Sequence, residues 1–180
     1  DWLASRGFVP SERLSVIPPA VDLTAFRRIK APRTPARVVG AIAPLDRQSG
    51  VDLLVAAMRA QPGLALTLKI YGDGPERAVI DAMAEGDPRI SVAAPQAPRR
   101  QLMAELDAVL VPSRWDAAGM AALEARAAGR PVVVSGLDGL QDRAGAGSLA
   151  IDPSDPEGWQ TALRLLARGA GPVPDETRAA

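Results

Sequence analysis

Two carboxylates, Asp116 and Glu124, stand eight positions apart in the segment Val111-Pro112-Ser113-Arg114-Trp115-Asp116-Ala117-Ala118-Gly119-Met120-Ala121-Ala122-Leu123-Glu124. The segment reads as strand, loop and helix, with Asp116 in the loop and Glu124 on the second helical turn. Small residues and Gly119 lie between them, and glycine lets a ligand approach the backbone. The helix start offers unpaired N–H groups and the positive end of the helix dipole, which suits a phosphate. A carboxylate has two acceptor oxygens, so Glu124 could take both hydroxyls of a ribose and Asp116 a hydroxyl of another sugar. The pair would then read the two ends of one nucleotide sugar, with the diphosphate between them. Each residue alone has a plainer role. A helix Glu is usually solvated, and a loop Asp before a helix is usually a cap. Only the assembly raises the functional reading.

Composition removes several competing chemistries. The 180 residues contain no Cys and no His. Thiolate catalysis, Cys zinc sites and disulfides are therefore excluded, and so is a Ser-His-Asp triad. No Asp-x-Asp occurs, which leaves no such metal–diphosphate site, and no cofactor is expected. Lys plus Arg and Asp plus Glu number 21 each, and this balance argues against nucleic acid as a partner. No apolar stretch approaches the ~20 residues that span a bilayer, and no signal peptide is evident. The chain opens at Asp1 without Met, and Asp1–Arg6 reads like the end of a helix already under way. It is expected to be a piece of a larger cytoplasmic protein.

The elements that must position the carboxylates are legible as alternation. Apolar runs fall at Leu14–Ile17, Val38–Ile42, Leu64–Tyr71, Ile90–Ala93, Ala108–Val111, Val132–Val134 and Leu149–Ile151. Several are continuous, as in strands buried on both faces. Helical patterns lie between them at Val51–Arg59, Glu76–Ala84, Arg100–Leu106, Gly119–Ala128 and Pro156–Leu166, the last behind the capping-box pattern Ser154-Asp155-Pro156-Glu157. Such alternation predicts an α/β fold, a doubly wound parallel sheet of the Rossmann-like kind, with ligands at the carboxyl ends of the strands. The basic, Pro-broken stretch 27–37 reads as a surface connection, and 169–180 as a frayed tail.

The chain resembles the C-terminal, nucleotide-sugar-binding domain of retaining glycosyltransferase family four, whose fold is the two-domain GT-B. The resemblance rests on Pro112-Ser113, Asp116 and Glu124-Ala125-Arg126-Ala127-Ala128-Gly129-Arg130-Pro131-Val132-Val133. Val16–Phe26, Gly50-Val51-Asp52-Leu53-Leu54 and Ile70-Tyr71-Gly72-Asp73-Gly74-Pro75 also fit, in the family's order. It implies that residues 1–168 bind the donor and that an N-terminal acceptor domain lies outside this chain. Glu124 would hold the ribose, Asp116 the sugar ring, and the amides of Ala118, Gly119 and Met120 the phosphate. Ala94 and Pro95 would sit where the base is read. The partners would be a nucleoside-diphosphate sugar and the absent domain, which could bring a cytoplasmic protein to the inner face of the membrane.

Departures from the family pattern are equally specific. The first acid is Asp116 where Glu is usual, and Pro19-Ala20 stand where Asn-Gly is usual. The family places an Arg and a Lys around the loop after the second strand to grip the diphosphate. In Gly40-Ala41-Ile42-Ala43-Pro44-Leu45-Asp46-Arg47-Gln48-Ser49-Gly50, the Arg position is Ala41 or Pro44 and the Lys position is Ser49. Arg47 is the only base in that loop, either a substitute or merely solvated. Arg114 and Arg143 are further candidates. The loss leaves two alternatives to an enzyme: a donor-binding pseudo-enzyme and a structural domain without a ligand. Gly72–Pro75 reads as a turn, and Asp138–Asp142 resembles the family's Gly-Gly-Leu-x-Glu loop. Gly145–Ala150 matches a dinucleotide fingerprint by letter, but a strand follows it where a helix is required.

Overall fold

The computed structural model describes residues 2–172 except Val16, Pro18, Arg27, Ala117, Asp138, Ala146, Ser154 and Pro156, with Trp2 described through its backbone only. The strands are β1 (Val38–Ile42), β2 (Thr67–Tyr71), β3 (Ile90–Ala93), β4 (Ala108–Val111), β5 (Val132–Ser135) and β6 (Leu149–Ile151). The helices are α1 (Trp2–Ser5), α2 (Val51–Arg59), α3 (Arg77–Ala84), α4 (Arg99–Ala104), α5 (Met120–Ala127), α6 (Leu140–Ala144) and α7 (Gly158–Arg168). The six strands form one sheet in the order β3-β2-β1-β4-β5-β6, with every pairing parallel. The order reverses between β1 and β4, which opens a crevice above their carboxyl ends.

The period-2 alternation of the strands explains the two covered faces. Val39, Ala41, Leu110 and Val133 point to one face, where they pack with Leu54, Val55 and Met58 of α2 and Trp159, Leu163 and Leu166 of α7. Ile42, Val109, Val111, Val132 and Val134 point to the other, against Leu102 and Met103 of α4, Ala122 and Ala125 of α5 and Leu140 of α6. Small residues on α5 let that helix lie close to the sheet, and this brings Glu124 near the end of β1.

Asp107 ties the stretch before β1 to the start of β4. Its Oδ1 accepts from the Arg33 amide at 3.0 Å, and its Oδ2 accepts from the Arg37 and Val38 amides at 2.9 Å each. The stretch 27–37, read from sequence as a surface connection, is thus anchored through the backbone of Arg33 and Arg37.

One predicted strand is corrected. Leu14, Ser15 and Ile17 form no strand, Val16 lying outside the described residues. Ile17 is 87% exposed, and the run meets Pro18-Pro19, whose rings carry no N–H for a ladder. The second long run narrows to Thr67–Tyr71, because Leu64 and Leu66 belong to a turn closed by the Leu66 amide on the Leu64 carbonyl. The five-residue α6 is too short to show a helical period in sequence. At α7, Ser154 lies outside the described residues. The Asp155 carboxylate accepts from the Glu157 amide at 2.9 Å, while no side chain caps the helix at Glu157. Gly169, at φ 72°, closes α7, with the Ala170 amide on the Leu165 carbonyl. The rest of the expected tail, 173–180, lies outside the described residues.

Candidate functional site

A cleft of ≈ 520 Å³ opens at the switch point. Its walls come from the end of β1 and the following loop (Ile42, Ala43, Asp46, Ser49), from the β4–α5 loop (Ser113, Trp115, Asp116, Ala118), from α5 (Met120, Glu124) and from Arg99. Ser49, Asp116, Ala118, Met120 and Glu124, all singled out in sequence, therefore meet here, together with Pro44, one of the two positions aligned with the family's Arg.

Six others do not line the cleft. Gly40 and Ala41 sit inside β1. Ala41 is fully buried in the core, and a Cβ on Gly40 would meet the Lys69 carbonyl oxygen at 2.1 Å. Gly40 thus packs β1 against β2 and Ala41 packs in the core, and neither lines the cleft. Arg47 is exposed, and what it lends the neighbouring loop is its carbonyl, which accepts from Arg114 Nη1 at 3.1 Å. Ala94 and Pro95 follow the edge strand β3 and are not part of the cleft lining. Gly119 is buried with φ 61°, and a Cβ there would meet Arg143 Cγ at 2.8 Å. Its glycine is required by the turn and by the Arg143 side chain, where the sequence suggested close approach of a ligand.

The β4–α5 loop is internally bonded. Asp116 Oδ1 accepts from the Ala118 amide at 3.0 Å and from the Gly119 amide at 2.7 Å. These bonds close the turn ahead of α5, whose N-cap Gly119 has no side-chain cap, and they use two of the amides expected for phosphate. A phosphate seat at those amides is open only when Asp116 turns away. The β1–α2 loop is closed in the same manner. The Ser49 amide donates to Asp46 Oδ1 at 2.8 Å, and the Ser49 hydroxyl donates to the Asp46 carbonyl at 2.9 Å.

Arg114, a candidate cation from sequence, is spent elsewhere. Its Nη1 and Nη2 donate to the two carboxylate oxygens of Asp52 at 2.7 Å each. This bidentate pair, with the Arg114 amide on the Gln48 carbonyl at 2.7 Å, clips the two cleft loops together. The Arg114 guanidinium holds the Asp52 carboxyl below its ordinary value of 3.8, so the pair stabilises the fold above that pH and loses its effect as pH falls through the lowered value. Asp52→Asn should therefore flatten the acid limb of the stability–pH profile below about pH 4. Urea midpoints at graded pH would show it, and unchanged slopes would remove the pair from the loop's stability. Both side chains are more than a third exposed, so the effect should be small and salt-sensitive.

The residue that sequence reasoning missed is Arg99. Its Nε donates to Glu124 Oε2, and its Nη2 reaches the Ile42 carbonyl at 3.4 Å. A signal existed: a cation in the first turn of a helix opposes the dipole and needs a partner. Nothing in the sequence named that partner. Trp115 also lines the cleft, 64% exposed at its mouth.

A family model described as Glycosyl transferases group 1 matches residues 36–168, and the chain belongs to that family. It is 34% identical to a D-inositol 3-phosphate glycosyltransferase of Nocardia farcinica, over 86% of this chain and 40% of that protein. It is 32% identical to a glycogen synthase of Thermus thermophilus, over 81% of this chain and 35% of that protein. Its fold is similar to that of WaaG, a glycosyltransferase involved in lipopolysaccharide biosynthesis, with a TM-score of 0.76 at 21% identity over 93% of this chain and 52% of that one. It is also similar to Anabaena HepE solved with UDP and glucose, with a TM-score of 0.73 at 20% identity over 92% of this chain and 53% of that one. The fold is therefore one Rossmann-like half of the GT-B architecture. The chain spans about 40% of the length of the first of these curated relatives. No helix among the described residues is long and apolar enough to cross a membrane.

Proposed function

We propose that this chain is the donor-binding half of a retaining glycosyltransferase that takes its sugar from a nucleoside diphosphate, without a metal ion, in the cytoplasm. The observation that carries the reading is Glu124, whose side chain is 13% exposed and lines the switch-point cleft on the same wall as Asp116. A carboxylate at that place has two acceptor oxygens for a ribose diol. Asp116 Oδ1 is engaged by amides, which leaves Oδ2 for a sugar hydroxyl. Residues 1–168 form this donor-binding part, and an N-terminal domain of the same protein supplies the acceptor and the facing wall. UDP in the HepE structure supports the choice of nucleotide class.

Glu124→Gln tests it. The shape is kept while charge-assisted acceptance is lost, a change worth roughly 1.5–3 kcal/mol, so affinity should fall about tenfold or more. Calorimetric titration of UDP, ADP and GDP with a chelator present throughout measures this. Unchanged affinity in the variant would reduce Glu124 to a structural partner of Arg99.

One observation favours a second reading. Among the described residues, the cleft lining carries Asp46, Asp116 and Glu124 against the single cation Arg99. A departing diphosphate needs fixed donors, and losing one typically costs about 3–4 kcal/mol in the transition state. In this reading the protein binds the donor and does not transfer the sugar. Release of nucleoside diphosphate from the sugar donor by the full-length protein separates the two.

A further inference from the structure

We propose that Arg99 is the positioning residue for Glu124, fixing that carboxylate for the ribose of a nucleotide; this rests on the donor-binding reading above. Arg99 is the only cation among the described residues that line the cleft, yet its guanidinium is committed to the wall. Nε holds Glu124 Oε2 on α5, and Nη2 reaches the Ile42 carbonyl at the end of β1. A guanidinium is planar and presents its donors in a fixed fork, so anchoring it to two different elements fixes the plane of the carboxylate it holds. Glu124 is 25 residues away in sequence and 13% exposed, whereas Arg99 is 43% exposed. The less exposed partner is thus held by the more exposed one.

The division of acceptors follows. A carboxylate offers about four lone-pair sites on two oxygens. Arg99 takes Oε2 from one side, which leaves Oε1 and the remaining site on Oε2 for a pair of neighbouring hydroxyls. Fixing the acceptor in advance removes rotamer entropy that binding would otherwise have to overcome. Lysine carries the same charge but only as a mobile point charge, so it cannot set the plane. Arg99 also stands in the first turn of α4, where a cation opposes the helix dipole. Its place there is explained by what it does to Glu124.

The rival role for the same side chain is direct contact with phosphate. The two roles differ in which part of the ligand reports the loss. The test uses the full-length protein carrying this chain, in wild-type, Arg99→Ala, Arg99→Lys, Glu124→Gln and double-variant forms. UDP, ADP and GDP are titrated into the wild type, and the tightest is carried forward with its 2′,3′-dideoxy counterpart. Arg99→Ala is expected to weaken the ribonucleotide about tenfold and the dideoxynucleotide little. Arg99→Lys should recover only part of the ribonucleotide loss, and Arg99→Ala should add little in the Glu124→Gln background. Thermal melting of each variant checks that the fold is kept; should Arg99→Ala melt early, the Arg99→Lys comparison carries the test. Equal losses for the two nucleotides, or full recovery by Lys, would overturn the positioning role in favour of phosphate contact. Absence of binding of all three nucleotides to the wild type would instead overturn the donor-binding reading, and this inference with it.

Discussion

Asp107→Ala is expected to cost about 3–5 kcal/mol of folding stability, a large part of the ~5–15 kcal/mol that holds a domain together. Asp107 is only 6% exposed, and its carboxylate serves three backbone amides, those of Arg33, Arg37 and Val38. Hydrogen bonds to a charged group contribute about 1.5–3 kcal/mol each, and buried donors left without an acceptor cost about 1–3 kcal/mol. Water will reach some of the freed amides, which keeps the total below the sum of three such losses. Asp107→Asn retains one carbonyl oxygen and should cost less than the alanine variant. Urea unfolding of both variants against wild type measures the difference. A loss under about 1 kcal/mol for alanine would mean that solvent replaces the carboxylate at little cost.

The second large effect is expected at Gly50, where stability and the cleft are joined. Gly50 has φ 66°, and a Cβ there would lie 2.1 Å from the Pro112 carbonyl oxygen. An L-residue pays about 1–2 kcal/mol for the left-handed conformation, and overpacking adds typically about 1–3 kcal/mol. Gly50→Ala should therefore lower stability by about 2–5 kcal/mol, or the melting temperature by roughly 4–20 °C at about 2–4 °C per kcal/mol. The clash drives the loop carrying Asp46 and Ser49 away from the loop carrying Ser113 and Asp116. Nucleotide binding should fall with it, even at temperatures where the variant stays folded. Gly63→Ala is the control, since that glycine has nothing within 4 Å of a built Cβ. Similar melting temperatures for the two variants would sink the argument from close loop packing.

How much of this was legible can be followed through particular residues. Val51–Arg59 shows its helix in sequence because apolar Val51, Leu54, Val55 and Met58 repeat at helical spacing, and the observed α2 has those bounds. The Pro112-Ser113 to Pro131-Val132-Val133 motif was enough to indicate the family, because a strand, a loop and a helix packed by small residues constrain many positions at once. Leu14–Ile17 misled for the opposite reason. A short apolar run says nothing about whether a neighbouring strand is there to pair with it. For Gly40 and Ala41, alignment to a motif gives a position along the strand without saying what the residue packs against.

What the sequence by itself determined is the layered architecture. Continuous apolar strands alternating with amphipathic helices have few ways to bury both sheet faces, and a right-handed parallel crossover leaves the loops at the carboxyl ends. That places Asp116 and Glu124 at the carboxyl edge of the sheet. What only the tertiary structure decided is which charges meet. Arg99 lies 25 residues from Glu124, and Arg114 lies 62 from Asp52, so no local periodicity relates either pair. Asp116 likewise spends Oδ1 on its own loop because that loop turns back on it. Polar pairing depends on distances of about 3 Å between side chains that the hydrophobic pattern leaves free to point several ways. Burial fixes the frame from afar, and the site's electrostatics follow only once the frame is closed.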